Sequence, residues 1–331
     1  MSLEAPRLSE SAFIAGLSAR EKNVWRIVAT ILAGVVGGVL VGLIVGMIAL
    51  VFVVAVTSGF RLDLGSLPMR ITALIGEDGK TIGSALGLLT LATATNGPMA
   101  ATFIAVAAAI AGVSAVRYVT VTRRIRWRLL LSGMLLSFLI VGPLVLVGQM
   151  LDPHAPPAPV LTLSKDWGGR LGYMLGCVAL LIPAAAAEEV VFRGWLLRES
   201  AAITRNPIFL MAVNGILFSA VHGEFSPDPF LTRALMGAGF VYMTLRLGGI
   251  EFSTGAHAAN NIMIVLFIQP LSLKAPPPTG VSGGSLAQDL FLFFSYVLMA
   301  EAVARWPLLR RLSDAEGTVD LPATAAAEQF S

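Results

Sequence analysis

Eight apolar stretches, separated by short polar or Pro/Gly-rich connections, organise the chain. They run from Ile27 to about Thr57, Gly83 to Val116, Leu129 to Met150, Leu171 to about Arg198, Pro207 to His222, Phe230 to Leu245, Phe252 to Gln269 and Leu286 to Ala304. A helix that crosses the hydrocarbon core of a bilayer needs about 20 apolar residues at about 1.5 Å each, and these stretches meet or approach that length. The pattern predicts an all-α polytopic membrane helix bundle with about eight transmembrane helices. Asn96-Gly97-Pro98 interrupts the second stretch, which leaves it open as one span or two. Asp152 to Pro159 and Pro276 to Gly284 are rich in proline or glycine and read as loops, whereas the polar, Ala-rich tail from Ser313 to Ser331 is expected to be disordered. The resulting plan is a cytoplasmic segment over 1–26, N-terminal transmembrane helices over 27–170, a core over 171–304 and a cytoplasmic tail over 305–331.

Composition agrees with this pattern. Apolar residues make up 56% of the chain and charged residues 13%, with a mean hydropathy of +0.80; an average soluble domain carries about 25% charged residues. The polar first 23 residues and the length of the apolar run behind them argue for a first transmembrane helix rather than a cleaved signal peptide. The net charge is only +3 and the basic residues are spread over the loops, so nucleic acid is not an expected partner. With both termini on the cytoplasmic side, sixteen Lys and Arg residues fall inside and seven outside, in the sense of the positive-inside rule. Arg126, Arg193, Arg198 and Arg246 belong to the inner sixteen.

Two further features concern packing. Cys177, the single cysteine, lies in an apolar run and reads as a small buried hydrophobe. In the first stretch Gly34, Gly38, Gly42 and Gly46 recur at four-residue spacing, so one helix face has no side chains and another backbone can approach it closely. Packing within the bundle is the expected use of that face, and a homodimer seam is the alternative.

Against this background three polar clusters stand out. An ionisable side chain at membrane depth costs roughly 2.5 to 3.5 kcal/mol on insertion scales, so such groups usually face a protein-lined cavity and mark a working site. In Glu188-Glu189-x-x-x-Arg193, Glu189 and Arg193 are four residues apart on one helix face and are expected to neutralise each other. Glu188 points about 100° away and is free to face a cavity as a general base. Phe218-x-x-x-His222 places an imidazole at the end of the fifth stretch, where capping is its ordinary role, and His257-x-x-x-Asn261 brings an imidazole and a carboxamide onto one face. Each of the latter two can donate a hydrogen bond to an oxyanion, or else serve as polar glue between helices. Asn260 and Asn214 read as polar packing.

The sequences EEVVFRG at Glu188 to Gly194, FSAVH at Phe218 to His222 and HAANN at His257 to Asn261 resemble the three motifs of the CPBP intramembrane proteases, the family of the Ras-converting CAAX prenyl endopeptidases and the Abi or bacteriocin-immunity proteins. The resemblance spans about Leu171 to Gln269. It implies peptide hydrolysis in which Glu188, helped by His222, activates a water; His257 and Asn261 stabilise the oxyanion; and Glu189, Arg193 and Phe218 support the site. It implies no cofactor, with zinc on Glu188, His222 and His257 as the alternative. A His-Glu-x-x-His element is absent from the sequence, and a ligated Glu188 would leave only Glu189 as base. The expected partners are the lipid bilayer and a peptide or protein substrate with a membrane-associated segment, and the expected location is a bacterial cytoplasmic membrane. A non-catalytic immunity or scaffold protein and a proton-coupled transporter are the competing readings.

Helix geometry raises one difficulty. Counted along straight helices, Glu188 and His222 lie about 22 to 25 Å from the inner surface, with His257 closer to it. Tilted or broken helices must close that gap for the three to act together.

Overall fold

Long uncharged runs form the lipid-facing helices of the computed structural model, which describes residues 7–15, 17, 20–60, 63, 65–122, 124–151, 155–273 and 279–315. In chain order the helices begin with α1 (Val24–Thr57), a short α2 (Leu67–Glu77), α3 (Ile82–Ala111), α4 (Trp127–Leu151) and α5 (Trp167–Ile203). Then come α6 (Pro207–Ala220), α7 (Pro227–Leu247), α8 (Glu251–Met263), α9 (Gly283–Arg305) and α10 (Pro307–Leu312). Among the described residues there is no strand, only the isolated bridge between Thr120 and Gly249. The tail expected to be disordered lies outside the described residues from 316 onward, and the two Pro/Gly-rich loops lie partly outside them.

The second apolar stretch is one continuous helix, with Pro98 inside α3. Thr81 opens it with a capping box, accepting from the Ser84 backbone N–H while the Ser84 side chain accepts from the Thr81 N–H. Gly112, at φ +70°, closes it in the left-handed conformation that a residue with a Cβ adopts only at a cost.

Among the described residues five helices are long and apolar enough to cross a membrane: Val24–Thr57, Ile82–Ala111, Trp127–Met150, Trp167–Ile203 and Gly283–Arg305. The remaining three predicted spans correct the sequence reading. Pro207–Ala220 is apolar but only 14 residues long, α7 carries Asp228, Arg233 and Arg246, and α8 has 13 residues before it passes into a π-helical turn at Ile264–Ile268. α8 is surrounded by protein and needs neither full span length nor full apolarity, because neighbouring side chains replace the lipid, whereas α6 keeps exposed apolar side chains such as Ile208 and Ile216.

α8 is the extreme case: every one of its residues except Asn261 is buried. It packs on α4, α5 and α7, while α7 in turn packs on α6 and α9, and α1 reaches the core through α3. Two close crossings make this possible. Gly255 of α8 lies against the Leu130 carbonyl and Gly133 of α4 against the Phe252 carbonyl, so a Cβ at either position would collide with backbone. The glycine ladder of α1 faces α3, with Gly34 on Phe103, Gly38 on Met99, and Gly42 and Gly46 on Thr95, as the packing reading expected. Cys177 is buried and free, also as expected.

The charge count changes in one respect. Four of the sixteen arginines and lysines assigned to inner loops are buried in ion pairs: Arg126 with Glu251 at 2.7 Å, Arg193 with Glu189 at 3.0 Å, Arg198 with Glu21 at 2.6 Å and Arg246 with Glu301 at 2.6 Å. These arginines act inside the protein rather than at the membrane surface. The Arg198–Glu21 pair, with the Phe13 carbonyl accepting from Arg198 at 2.6 Å, also draws the polar N-terminal segment onto the bundle, where Phe13 and Ile14 are fully buried.

Candidate active site

The three polar clusters meet. The 37-residue helix α5 delivers Glu188 and Glu189 just before it loosens into a π-helical turn over Val190–Leu196, a local unwinding that recurs at functional sites. α6 ends at Ala220, and the chain turns through His222 to Gly223, which has φ +71°. Ser219 ties this turn to α7 by donating from its hydroxyl to the Phe230 carbonyl at 2.8 Å. α8 brings His257 from the opposite side.

Around Glu188 the geometry is triangular. Its Oε2 lies 3.9 Å from His222 Nε2 and 3.7 Å from His257 Nε2. The separation of more than 10 Å that straight helices would impose is absent, because α6 and α8 are short helices, and α8 is almost wholly buried, so its depth is set by packing rather than by spanning. Glu188 and His222 keep about a third of their side-chain surface, at 29% and 32%, whereas His257 keeps 2%. The first two side chains are therefore partly open, although Glu188 Oε2 itself is buried among them, and the third is enclosed.

The two imidazoles are held differently. His222 Nδ1 lies 2.7 Å from the Phe218 carbonyl, and since a carbonyl only accepts, Nδ1 carries a proton and Nε2 is the nitrogen that faces Glu188. The histidine thus caps α6 with one nitrogen and faces the site with the other, which unites the two roles weighed for it. His257 Nδ1 lies 2.9 Å from Glu189 Oε1, so its Nδ1–H donates to a carboxylate. Glu189 is fully buried and also pairs with Arg193. The i, i+4 spacing showed the pair with Arg193 but gave no sign of the bond to His257, which joins residues 68 apart.

Aromatic rings form the wall. The ring of Phe218, fully buried, lies 4.9 Å from His222 and 5.7 Å from His257, with the Arg193 guanidinium 4.2 Å above its centroid. Phe240 stacks on His257 at 5.1 Å. The motif phenylalanine therefore touches both histidines and the arginine. Phe240 lies outside the three motifs, and neither it nor the Glu189–His257 bond has a local sequence signal. Asn261, one turn beyond His257 and the one residue of α8 that is not buried, makes no side-chain hydrogen bond among the described residues. Its amide is available to a ligand on the His257 face. Asn214 donates to the Leu210 carbonyl at 2.9 Å, in keeping with polar packing.

Among the described residues no group of three His, Cys, Asp or Glu side chains is arranged as a metal-ion site. An apolar cavity of about 330 Å³ opens elsewhere, between the end of α4, the segment 155–161 and Phe267, and no motif residue lines it.

Comparison with known proteins falls on the same part of the chain. Residues 170–263, which include all three clusters, match the family model of the type II CAAX prenyl endopeptidases, Rce1-like. An uncharacterized protein of Bacillus subtilis (strain 168), YyaK, is 27% identical over 213 residues, covering 60% of this chain and 69% of that protein. No solved structure matches the chain. In residues 170–263 the chain is therefore similar to CAAX-type intramembrane endopeptidases, and its all-helical, membrane-type bundle agrees with that similarity.

Proposed function

We propose that the protein is a glutamate-type intramembrane endopeptidase that hydrolyses a peptide bond in a membrane-associated substrate. The observation that carries this reading is the position of Glu188 Oε2 within 4 Å of both imidazole Nε2 atoms. A water on this triangle gives a proton to Glu188 while His222 Nε2 orients it, and its oxygen attacks the scissile carbonyl carbon. The carbonyl electrons move onto oxygen, where His257 and Asn261 supply hydrogen bonds to the resulting oxyanion. The intermediate then collapses, the C–N bond breaks, and the amine departs with a proton.

A metal-free site is part of the proposal. The bacterial relative supports a location in a bacterial cytoplasmic membrane, with both termini inside as the charge distribution favours. The test uses purified protein in lipid vesicles, offered internally quenched peptides that carry a hydrophobic anchor. Glu188→Gln and His222→Ala are expected to lower cleavage by about 10²- to 10⁴-fold, the range for loss of general-base catalysis, at unchanged expression. Chelator is expected to leave wild-type cleavage intact. Undiminished turnover in Glu188→Gln would remove the carboxylate from the mechanism, and retention of a cellular phenotype by that variant would favour a non-catalytic immunity or scaffold role.

A further inference from the structure

The two histidines that face Glu188 differ in what lies behind them, and the difference assigns them unequal work. Behind His222 is a neutral carbonyl, at 2.7 Å; behind His257 is the Glu189 carboxylate, at 2.9 Å, itself anchored by Arg193 at 3.0 Å. A buried carboxylate beyond Nδ1 fixes the tautomer and compensates the positive charge that an imidazole takes on when Nε2 also carries a proton, as in the hydrolytic triads. A carbonyl dipole compensates that charge far less. His257 is enclosed, with Phe240 stacked on its ring and Phe218 at its edge, so its orientation is fixed and Nε2 is the atom it offers to the site.

We infer that His257 is the general acid of the reaction, delivering its Nε2 proton to the leaving amine, with Glu189 bonded behind Nδ1 as the group that positions it. The inference rests on the hydrolytic reading above and deepens it. The proton balance closes on atoms already in place. Water gives one proton to Glu188 as its oxygen bonds the carbonyl carbon. When the C–N bond breaks, the amine nitrogen takes the proton from His257 Nε2, leaving a neutral imidazole. Glu188 then passes its proton, through a water bridging the 3.7 Å gap, to His257 Nε2, which restores both groups, and the second hydrogen of the attacking water leaves with the new carboxylic acid. Glu188 Oε2, buried and without a hydrogen-bond partner of its own, is the oxygen placed to carry that proton.

An oxyanion donor and a general acid are separated by changing the leaving group, because a thiolate departs without a proton and an amine does not. The bond cleaved by the wild-type protein in a quenched, membrane-anchored peptide is first mapped by mass spectrometry. The same peptide is then made with a thioester in place of that amide. His257→Gln and Glu189→Gln, each checked for folding by thermal melting, are expected to lower amide hydrolysis by about 100-fold more than thioester hydrolysis. Glu188→Gln is expected to lose both. Equal losses on amide and thioester in the His257 and Glu189 variants overturn the general-acid role while the protease reading stands. Should His257→Gln fail to fold, Glu189→Gln decides alone. Retention of both activities by Glu188→Gln, or no cleavage by the wild-type protein, overturns the protease reading and this inference with it.

Discussion

α1 and α8 solve the same problem, a helix in a membrane protein, in opposite ways. α1 has 34 residues, a hydropathy of 3.2 and side chains such as Leu32, Ile44 and Ile48 turned outward, each more than 60% exposed, so lipid is its solvent. α8 has 13 residues, among them Ser253, Thr254, His257, Asn260 and Asn261, and is enclosed by α4, α5 and α7. For α8 the protein is the solvent. The cost of an ionisable group at membrane depth therefore falls on packing and pairing, and the same enclosure that supplies partners for His257 and Glu189 fixes their positions.

The comparison breaks most sharply at the start of α8. Arg126 donates to both oxygens of Glu251, at 2.9 and 2.7 Å, and to the carbonyls of Leu247 and Gly248 at 2.8 and 3.1 Å. It thereby ties the loop before α4 to the α7–α8 corner. Arg126→Met would leave the Glu251 carboxylate buried and without its cation, and removal of one partner from a buried pair typically costs about 3–5 kcal/mol. Detergent-resistant folding is expected to fall by about that amount in an equilibrium unfolding titration, and cleavage to fall with it because α8 carries His257. A stable, fully active Arg126→Met protein would show that α8 is held by its apolar contacts alone.

The same contrast explains what could be read before folding. Apolar length located every lipid-facing helix, and four-residue spacing found the Glu189–Arg193 pair and the Phe218–His222 and His257–Asn261 faces, since both signals are local to one helix. Depth was not legible. It depends on glycine notches such as Gly133 and Gly255, and on π-helical turns, one beginning at Val190 inside the first motif and one at Ile264 just after the third. Nor was the Glu189–His257 bond, which exists only after α5 and α8 pack. Arg126 and Arg198 read as inner-loop charges because a positive-inside count has no means of telling a surface arginine from one whose partner lies far away in sequence.

At the lipid-facing end, the glycine ladder gives a smaller effect. A Cβ at Gly42 would meet the Thr95 carbonyl at 2.9 Å and the Met99 Cβ at 3.2 Å, and neither atom is the tip of a flexible side chain. Gly42→Leu is expected to push α1 away from α3 at a cost of about 1–3 kcal/mol, the range for overpacking. Because the α1–α3 contact stands outside the catalytic triangle, turnover per folded molecule should stay at the wild-type value, measured as kcat after unfolding titration has given the folded fraction. A drop in kcat with stability unchanged would mean that α1 and α3 set the site geometry, and the division between lipid-solvated and protein-solvated helices would fail.

The smallest effect belongs to the exposed start of α5. Asp166 caps it, accepting from the Gly169 N–H at 2.7 Å and the Ser164 hydroxyl at 2.9 Å, and those hydrogen bonds, the backbone one foremost, hold its carboxyl below the usual carboxylate range. A carboxyl depressed in the folded state contributes its stability above the unfolded value of about 3.9 and loses it as the pH falls through the folded value. Asp166→Ala is therefore expected to lower the protection of the Gly169 and Arg170 amides from exchange at neutral pH, and acidified wild-type protein should approach the same protection factor, taken relative to the intrinsic rate at each pH. Glu188 lies 22 residues further along α5, about 33 Å at 1.5 Å per residue. A cap affects only the first turn, so hydrolysis at neutral pH should not change. Slower hydrolysis in Asp166→Ala would show that α5 transmits strain along its whole length, and that its membrane-spanning part and its catalytic part behave as one rigid element.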